Sequence, residues 1–140
     1  MAKDTAKLLE ELKGFSDFKE YMTENKEEMG NICVSEYLQK LIEEKGLNKA
    51  EIIKNAELDE TYGYQIISGI KKAPSRNKVI SLAIGMGLGL SETHDMLKAT
   101  GYAPLYAKRE FDAIVIYGFY NGLGVVEINN MLFEYLEETL

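Results

Sequence analysis

The chain is poor in the residues that cross-link, bind metals or interrupt helices. Its 140 residues include one cysteine (Cys33), one histidine (His94), two prolines (Pro74 and Pro104) and no tryptophan. A single cysteine excludes an intrachain disulfide and a cysteine-pair metal site. Cys33 lies in the apolar stretch "NICVSEYL", where we expect it to pack in the interior. So few prolines, beside many Leu, Ile, Glu and Lys, favour an all-helical chain.

Long apolar runs are also missing. No stretch reaches the roughly 20 apolar residues that a membrane helix needs, and the opening "MAKDTAKLLEELKG" lacks the apolar segment of a signal peptide. We therefore expect a cytoplasmic protein that does not contact membranes. The length suits one domain, or one domain with an extension.

Positive charge is scarce and concentrated in the middle of the chain. The net charge is -7. Residues 1–46 contribute -4, residues 79–140 contribute -5, and the segment between them contributes +2. Residues 47–78 instead carry six basic and four acidic groups. Contact with phosphate needs such a local basic footprint, so an anionic partner is expected there.

Enzyme signatures are lacking. His94 has Glu92 and Asp95 nearby in "SETHDML", but the spacing offers no third metal ligand. The sequence contains no Ser-His-Asp set, phosphate loop or "HExxH" motif. The glycines of "GMGLGLS" are interpreted as hairpin stops. The sequence therefore predicts a protein that is not an enzyme, with no catalytic residue, metal or cofactor.

Apolar residues at three- and four-residue spacings predict helices along the chain. Residues 5–29 predict one or two amphipathic helices, interpreted as an arm that packs on the core or is exchanged between subunits. Polar residues predict helix starts and glycines predict helix ends. The predicted caps are Ser35, Asn48, Asp59 and Ser75, and the predicted stops are Gly46 and Gly69.

Two segments are similar at a constant offset of 35 residues. They are "VISLAIGMGLGLSETHDML" (79–97) and "IVIYGFYNGLGVVEINNML" (114–132). Each segment predicts a helix that ends at a glycine, followed by a leucine and a second helix. We interpret the likeness as two αα-hairpins that use the same kind of turn, rather than as a duplication. The match predicts that "FDAIVIYGFY" (111–120) is a helix, although its β-branched and aromatic residues would also suit a strand. Because this helix is apolar nearly all round, we expect it to be buried or to lie in a subunit interface.

Residues 35–91 have the order of a helix-turn-helix protein, in which the second short helix lies in the major groove. The segment "LNKAEIIKNAELDETYGYQIISGIKKAPSRN" resembles the phage-repressor-like, or XRE-type, transcription regulators. With "YGYQI", "SRNK" and "GYAPLY", the chain is similar to a bacterial subgroup with a helical extension. The resemblance implies an all-α, lambda-repressor-like helix-turn-helix bundle with additional N- and C-terminal helices. It implies an N-terminal helical arm (1–33), a helix-turn-helix DNA-binding domain (34–100) and a C-terminal helical hairpin (101–140) that packs on this domain or dimerises.

The resemblance also implies a sequence-specific transcriptional regulator that reads DNA with helix 59–68. The side chains that it places on or beside double-stranded DNA are Lys49, Glu60, Thr61, Tyr64, Ser68, Lys71, Lys72, Arg76 and Lys78. Glu60 and Thr61 stand where base contacts begin, and a carboxylate can accept a hydrogen bond from cytosine N4. Asp59 is interpreted as a helix cap that points at backbone N–H groups rather than at DNA.

Such an acidic chain needs two-fold symmetry to bind DNA usefully, since a dimer doubles the phosphate contacts. We therefore expect a homodimer through the N-terminal arm, through residues 111–136, or through both. An unidentified effector is a further candidate partner.

The alternative is a helix-turn-helix scaffold that binds a partner protein or a small ligand and touches DNA weakly or not at all. The net charge, Glu60 and Gly63 favour it. Gly63 stands where the family has an aliphatic residue, and glycine inside a helix costs about 0.5–1 kcal/mol relative to alanine. Tyr62 and Tyr64 are expected to cover the gap. "GYAPLYAKREF" (101–111) is interpreted either as a ligand groove or as a proline-bent connector whose tyrosines pack on neighbouring helices.

Overall fold

A computed structural model describes residues 31–140. Residues Ile32–Leu140 form one compact unit, and the described residues form seven α-helices and no strand. The helices are α1 (Val34–Lys45), α2 (Lys49–Asn55), α3 (Glu60–Ser68), α4 (Arg76–Gly85), α5 (Leu90–Ala99), α6 (Glu110–Tyr120) and α7 (Val125–Leu136). The all-α prediction is thus confirmed for this part of the chain, whereas the helices predicted over residues 5–29 lie outside the described residues.

The first described helix begins differently from its prediction. α1 starts at Val34, and its N-cap residue is Cys33, which makes no side-chain capping bond. Ser35 is therefore not the cap. The side chain of Cys33 is exposed, so the predicted interior role is wrong as well. Val34 is buried, which indicates that packing of this residue, rather than a polar cap, fixes the start of α1.

The other predicted caps and stops are confirmed. Asn48, Asp59 and Ser75 precede α2, α3 and α4, and each side-chain oxygen accepts a hydrogen bond from the backbone N–H three residues later, at 3.0, 3.0 and 3.3 Å. Gly46 and Gly69 end α1 and α3 in the left-handed conformation, which glycine adopts without steric cost.

The two similar segments form hairpins with the same turn. Gly87 and Gly122 have φ values of 74° and 64°. The N–H groups of Leu88 and Leu123 donate to carbonyls five residues earlier, at 3.0 and 2.9 Å. The next residue in each hairpin is a glycine whose N–H donates to a glutamate of the following helix, at 3.4 Å in both hairpins. The prediction that residues 111–120 are helical is confirmed by α6.

The core is organised around α4. This helix packs against α2, α5 and α7, and its residues Val79 to Ala83 are all buried. α3 packs against α1 and α2, and α6 packs against α5 and α7. Among the described helices, α3 therefore lies at the edge, with Ile66 and Ile67 in the core and Thr61, Tyr64 and Ser68 exposed.

Candidate nucleic-acid interface

The outer sides of α2 and α3 meet in a concave surface of about 420 Å³, here called the α3 face. It is lined by Lys49, Glu60, Thr61, Tyr64, Gln65, Ile67, Ser68 and Ile70. Five of these residues belong to the nine for which the sequence predicts DNA contacts. The structure thus brings Lys49, the first residue of α2, together with four predicted residues of α3.

Helical spacing explains why the α3 residues share one side. Thr61, Tyr64 and Ser68 are three and four residues apart, so their side chains are neighbours on the helix surface. Ile66 on the opposite side is fully buried. The amphipathic pattern therefore turns the polar stripe outward.

Contacts behind α3 fix its position. The side-chain amide of Gln39 on α1 donates a hydrogen bond of 2.8 Å to the backbone carbonyl of Ile67. The carboxylate of Asp59 accepts from the N–H of Tyr62 at 3.0 Å, and such a cap stabilises a helix by about 0.5–2 kcal/mol. Asp59 is therefore occupied by the backbone, as predicted, while Glu60 is exposed in the first turn.

At Gly63, α3 packs closely against the side chain of Ile53 on α2. A Cβ atom at Gly63 would lie 2.7 Å from both Cγ atoms of Ile53, which is itself buried. Only a residue without a side chain fits there. The prediction that Tyr62 and Tyr64 cover the gap is wrong, because Ile53 fills it and Tyr64 lines the α3 face instead.

The loop after α3 carries two lysines, Lys71 and Lys72, which do not line the α3 face themselves. The N–H of Lys71 donates to the carbonyl of Gln65 at 3.0 Å, which ties the loop back to the end of α3. Ile70 is 71% exposed, and Lys71 and Lys72 after it are also exposed. Ile70 therefore lies at the end of the α3 face, and two cations follow it directly in the chain.

Arg76 is not brought to the α3 face. Its guanidinium makes two 3.0 Å hydrogen bonds with the carboxylate of Asp112 on α6. It also donates to the carbonyls of Ala103 and Pro104, at 2.9 and 3.0 Å. These bonds occupy the guanidinium inside the domain, so Arg76 joins α4 to α6 and to the connector 100–109.

The ion pair changes the titration of its acidic member. Burial by itself would raise the pKa of Asp112, but hydrogen bonds from Arg76 and from the backbone N–H of Tyr106, with the positive charge of Arg76, hold that pKa below its usual value. Asp112 is therefore ionised in the buried pair.

Lys78, the last of the nine predicted residues, lies in the first turn of α4 and is half-buried. It is not among the residues that line the α3 face.

The connector between α5 and α6 packs on the bundle. The hydroxyl of Tyr102 donates to the carbonyl of Pro74, and burial, followed by the nearby Tyr62, raises the pKa of Tyr102. The N–H of Tyr106 donates to Asp112 at 2.9 Å, although its ring is exposed. These contacts favour the interpretation as a proline-bent connector.

Gln65, Ile67 and Ile70 line the α3 face but do not belong to the predicted set. Gln65 follows Thr61 by four residues, so helical spacing could have found it. Ile70 stands in the loop, where no periodic pattern indicates the direction of a side chain.

Three further features of residues 31–140 concern metal binding, the single histidine and membrane spanning. They contain no group of three or more His, Cys, Asp or Glu side chains that could hold a metal ion. His94 has a buried Nε2 atom without a hydrogen-bond partner among these residues. None of the seven helices has the length and apolar character needed to cross a membrane.

In comparisons with known proteins, the chain matches no family model, no curated sequence and no solved structure.

Proposed function

We propose that the chain is a sequence-specific DNA-binding regulator in which α2 and α3 form a helix-turn-helix and α3 enters the major groove. The α3 face is the observation that carries this proposal. It combines Lys49, the first residue of α2, with the outward side of α3. A turn of four residues, Ala56 to Asp59, connects the two helices. Helix-turn-helix proteins present a reading helix in this way.

The firm support of α3 favours reading of bases. The Asp59 cap supports the start of the helix, the packing of Gly63 against Ile53 supports its middle, and the Gln39 hydrogen bond supports its last turn. A reading helix needs such a fixed orientation, since base discrimination depends on hydrogen-bond geometry. In this proposal Glu60, Thr61, Tyr64 and Gln65 face the base edges.

Phosphate contacts are assigned to lysines. Lys49, Lys71, Lys72 and Lys78 are the candidates, whereas Arg76 is left out because Asp112 and two carbonyls occupy its guanidinium. Each neutralised phosphate contributes about 0.9 to the slope of log affinity against log salt. A dimer with eight such contacts would have a slope of about -7.

The proposed dimer requires a surface that tolerates a second acidic copy. On α7, the exposed Val126 and Phe133 are seven residues apart and share a side with Asn130. None of these three residues is charged, although Glu127 and Glu134 lie three and four residues from Asn130. The stripe falls within the range 111–136, where the sequence predicts dimerisation. We assign the two-fold contact to it.

Selection of bound sequences from random DNA tests the proposal, followed by a salt titration on the selected site. We expect enrichment of a palindrome with a spacing of about one helical turn between half-sites. Failure to enrich any sequence at low salt would contradict the regulator proposal.

A second candidate function is supported by the apolar character of the loop. Ile70 is mostly exposed and lines the same surface as Tyr64 and Ile67. These side chains would suit contact with an apolar part of a protein partner or with a small apolar ligand. In that case selection yields no DNA site, and replacement of Ile70 by a polar residue weakens the partner complex.

A further inference from the structure

The groove between α6 and α7 is apolar and open. Its volume is about 690 Å³. The apolar side chains that line it are Ala113, Ile114 and Tyr117 on α6 and Met131, Tyr135 and Leu136 on α7. Tyr117 is 51% exposed, and Tyr135 is exposed as well. Within the described residues, no element of the bundle covers these two rings.

The surroundings of this groove are strongly acidic. Residues 110–140 contain six acidic side chains and no lysine, arginine or histidine, and two basic residues, Lys108 and Arg109, directly precede them. Glu110 lines the groove itself, and Glu134 follows Met131 by three residues on α7, which makes the two side chains neighbours. Among the described residues, Asp112 is the one of the six that forms an ion pair.

The end of α7 adds to the negative field. The last turn of α7 has no basic residue, so the partial negative charge of its C-terminal carbonyl groups is not opposed. Glu137 and Glu138 follow immediately and are exposed. The groove therefore combines an apolar floor with an acidic rim.

We propose that this groove binds a basic amphipathic helix of another protein. A helix lying in a groove inserts apolar side chains spaced three, four and seven residues apart, and a basic opposite side would complement Glu110, Glu134 and the end of α7. A second copy of the chain would instead bring the same carboxylates, and like charges across an interface oppose association. Nucleic acid is repelled for the same reason. The proposal does not depend on DNA binding by the α3 face.

Two labelled peptides of about 18 residues, or five helical turns, test the proposal by fluorescence anisotropy with the full chain. Both carry the same Leu and Ile stripe, and the polar positions are Lys in one and Glu in the other. We expect saturable binding of the Lys peptide that weakens as salt is raised, and no saturable binding of the Glu peptide. Equal binding of both peptides, or of neither, would overturn the proposal.

Matched variants locate the binding surface. Tyr117→Ser should weaken binding of the Lys peptide about tenfold or more, as expected for an aromatic anchor. Tyr106→Ser should leave it unchanged, since Tyr106 is similarly exposed, at 54%, but does not line the groove. The double charge reversal Glu110→Lys with Glu134→Lys should shift the preference toward the Glu peptide. Circular dichroism checks that each variant is folded.

Two results would assign the groove to another occupant or surface. If light scattering gives a dimer that Tyr117→Ser converts to a monomer, a second copy fills the groove and the proposal fails. If Tyr117→Ser and Tyr106→Ser weaken binding equally, the peptide binds the acidic surface in general, and the groove is not its site.

Discussion

The guanidinium of Arg76 and the carboxylate of Asp112 form a bidentate pair, with both hydrogen bonds at 3.0 Å, across 36 residues of sequence. Asp112 is almost fully buried, while Arg76 keeps some contact with solvent. The pair connects the start of α4, which follows the lysine-bearing loop, to the start of α6. It thereby holds the part of the chain proposed to bind DNA against the C-terminal hairpin.

Removal of the acidic member should destabilise the fold. Asp112→Ala leaves the guanidinium of Arg76 without its carboxylate, and we expect a loss of about 3 kcal/mol in the free energy of unfolding, at the low end for a buried pair because Arg76 is partly exposed. Urea unfolding measures it. The control is Glu110→Ala, an exposed position in the first turn of the same helix, which should cost less than about 1 kcal/mol through the lost interaction with the helix dipole. A loss in Asp112→Ala no larger than that of the control would contradict the role of the pair.

The same pair should make stability depend on pH at the acidic end. The folded-state pKa of Asp112 lies below its usual value of 3.8, so the unfolded chain binds more protons between the two values. The contribution of Asp112 is therefore complete above the usual value and is lost as the pH falls through the lowered one. Urea unfolding of the wild type and of Asp112→Asn over about pH 3–7 measures this. The stability difference should shrink toward low pH, and a constant difference would exclude the assignment.

Gly63 should respond to substitution in the opposite sense to an ordinary helical glycine. Gly→Ala inside a helix usually stabilises by about 0.5–1 kcal/mol. At Gly63 the new Cβ would meet Ile53 at 2.7 Å, so Gly63→Ala should cost about 1–3 kcal/mol through overpacking. A double-mutant cycle of Gly63→Ala and Ile53→Ala, measured by thermal unfolding, isolates this contact. Because Ile53→Ala removes both Cγ atoms, Gly63→Ala should cost less stability in that background than in the wild type. Simple additivity of the two changes would refute it.

The features that the sequence predicts well are local. Asn48, Asp59 and Ser75 cap helices through N–H groups three residues away, and the glycine stops depend on the conformation of a single residue. A short window of sequence contains everything that these interactions need. The all-α class follows from the same local patterns.

The features that the sequence did not predict depend on partners distant along the chain. Arg76 looks like a phosphate-binding residue because it follows a basic loop, but its partner Asp112 lies in another helix. The fit of Gly63 depends on Ile53 across the turn. The start of α1 depends on burial of Val34 in the core. None of these relationships is visible in spacing or composition alone.

If the α3 face binds DNA, the loop lysines Lys71 and Lys72 should account for most of the decrease in DNA affinity with rising salt. Lys71→Glu with Lys72→Glu should abolish binding of the selected site at moderate salt. Single Lys→Ala changes should each lower the salt slope of a dimer by about 2, since two phosphate contacts are lost. The control is Lys98→Glu with Lys108→Glu, the same charge change at exposed lysines outside the α3 face. Equal loss in both double variants would mean that net charge, and not this loop, governs affinity.

Ile70 should read a methyl group if the proposed DNA binding holds. Its mostly exposed side chain precedes two phosphate-binding candidates, and an apolar side chain in the major groove recognises the 5-methyl group of thymine. Replacing single thymidines of the selected site by deoxyuridine removes only that methyl. One such replacement per half-site removes two methyl groups from the dimer's site, so wild-type binding should weaken about tenfold to twentyfold, from about 0.8 kcal/mol per buried methyl group. In Ile70→Ala the penalty should disappear, because the apolar contact is already lost. A variant that keeps the full penalty would show that another residue contacts the methyl group, even though DNA binding itself stands.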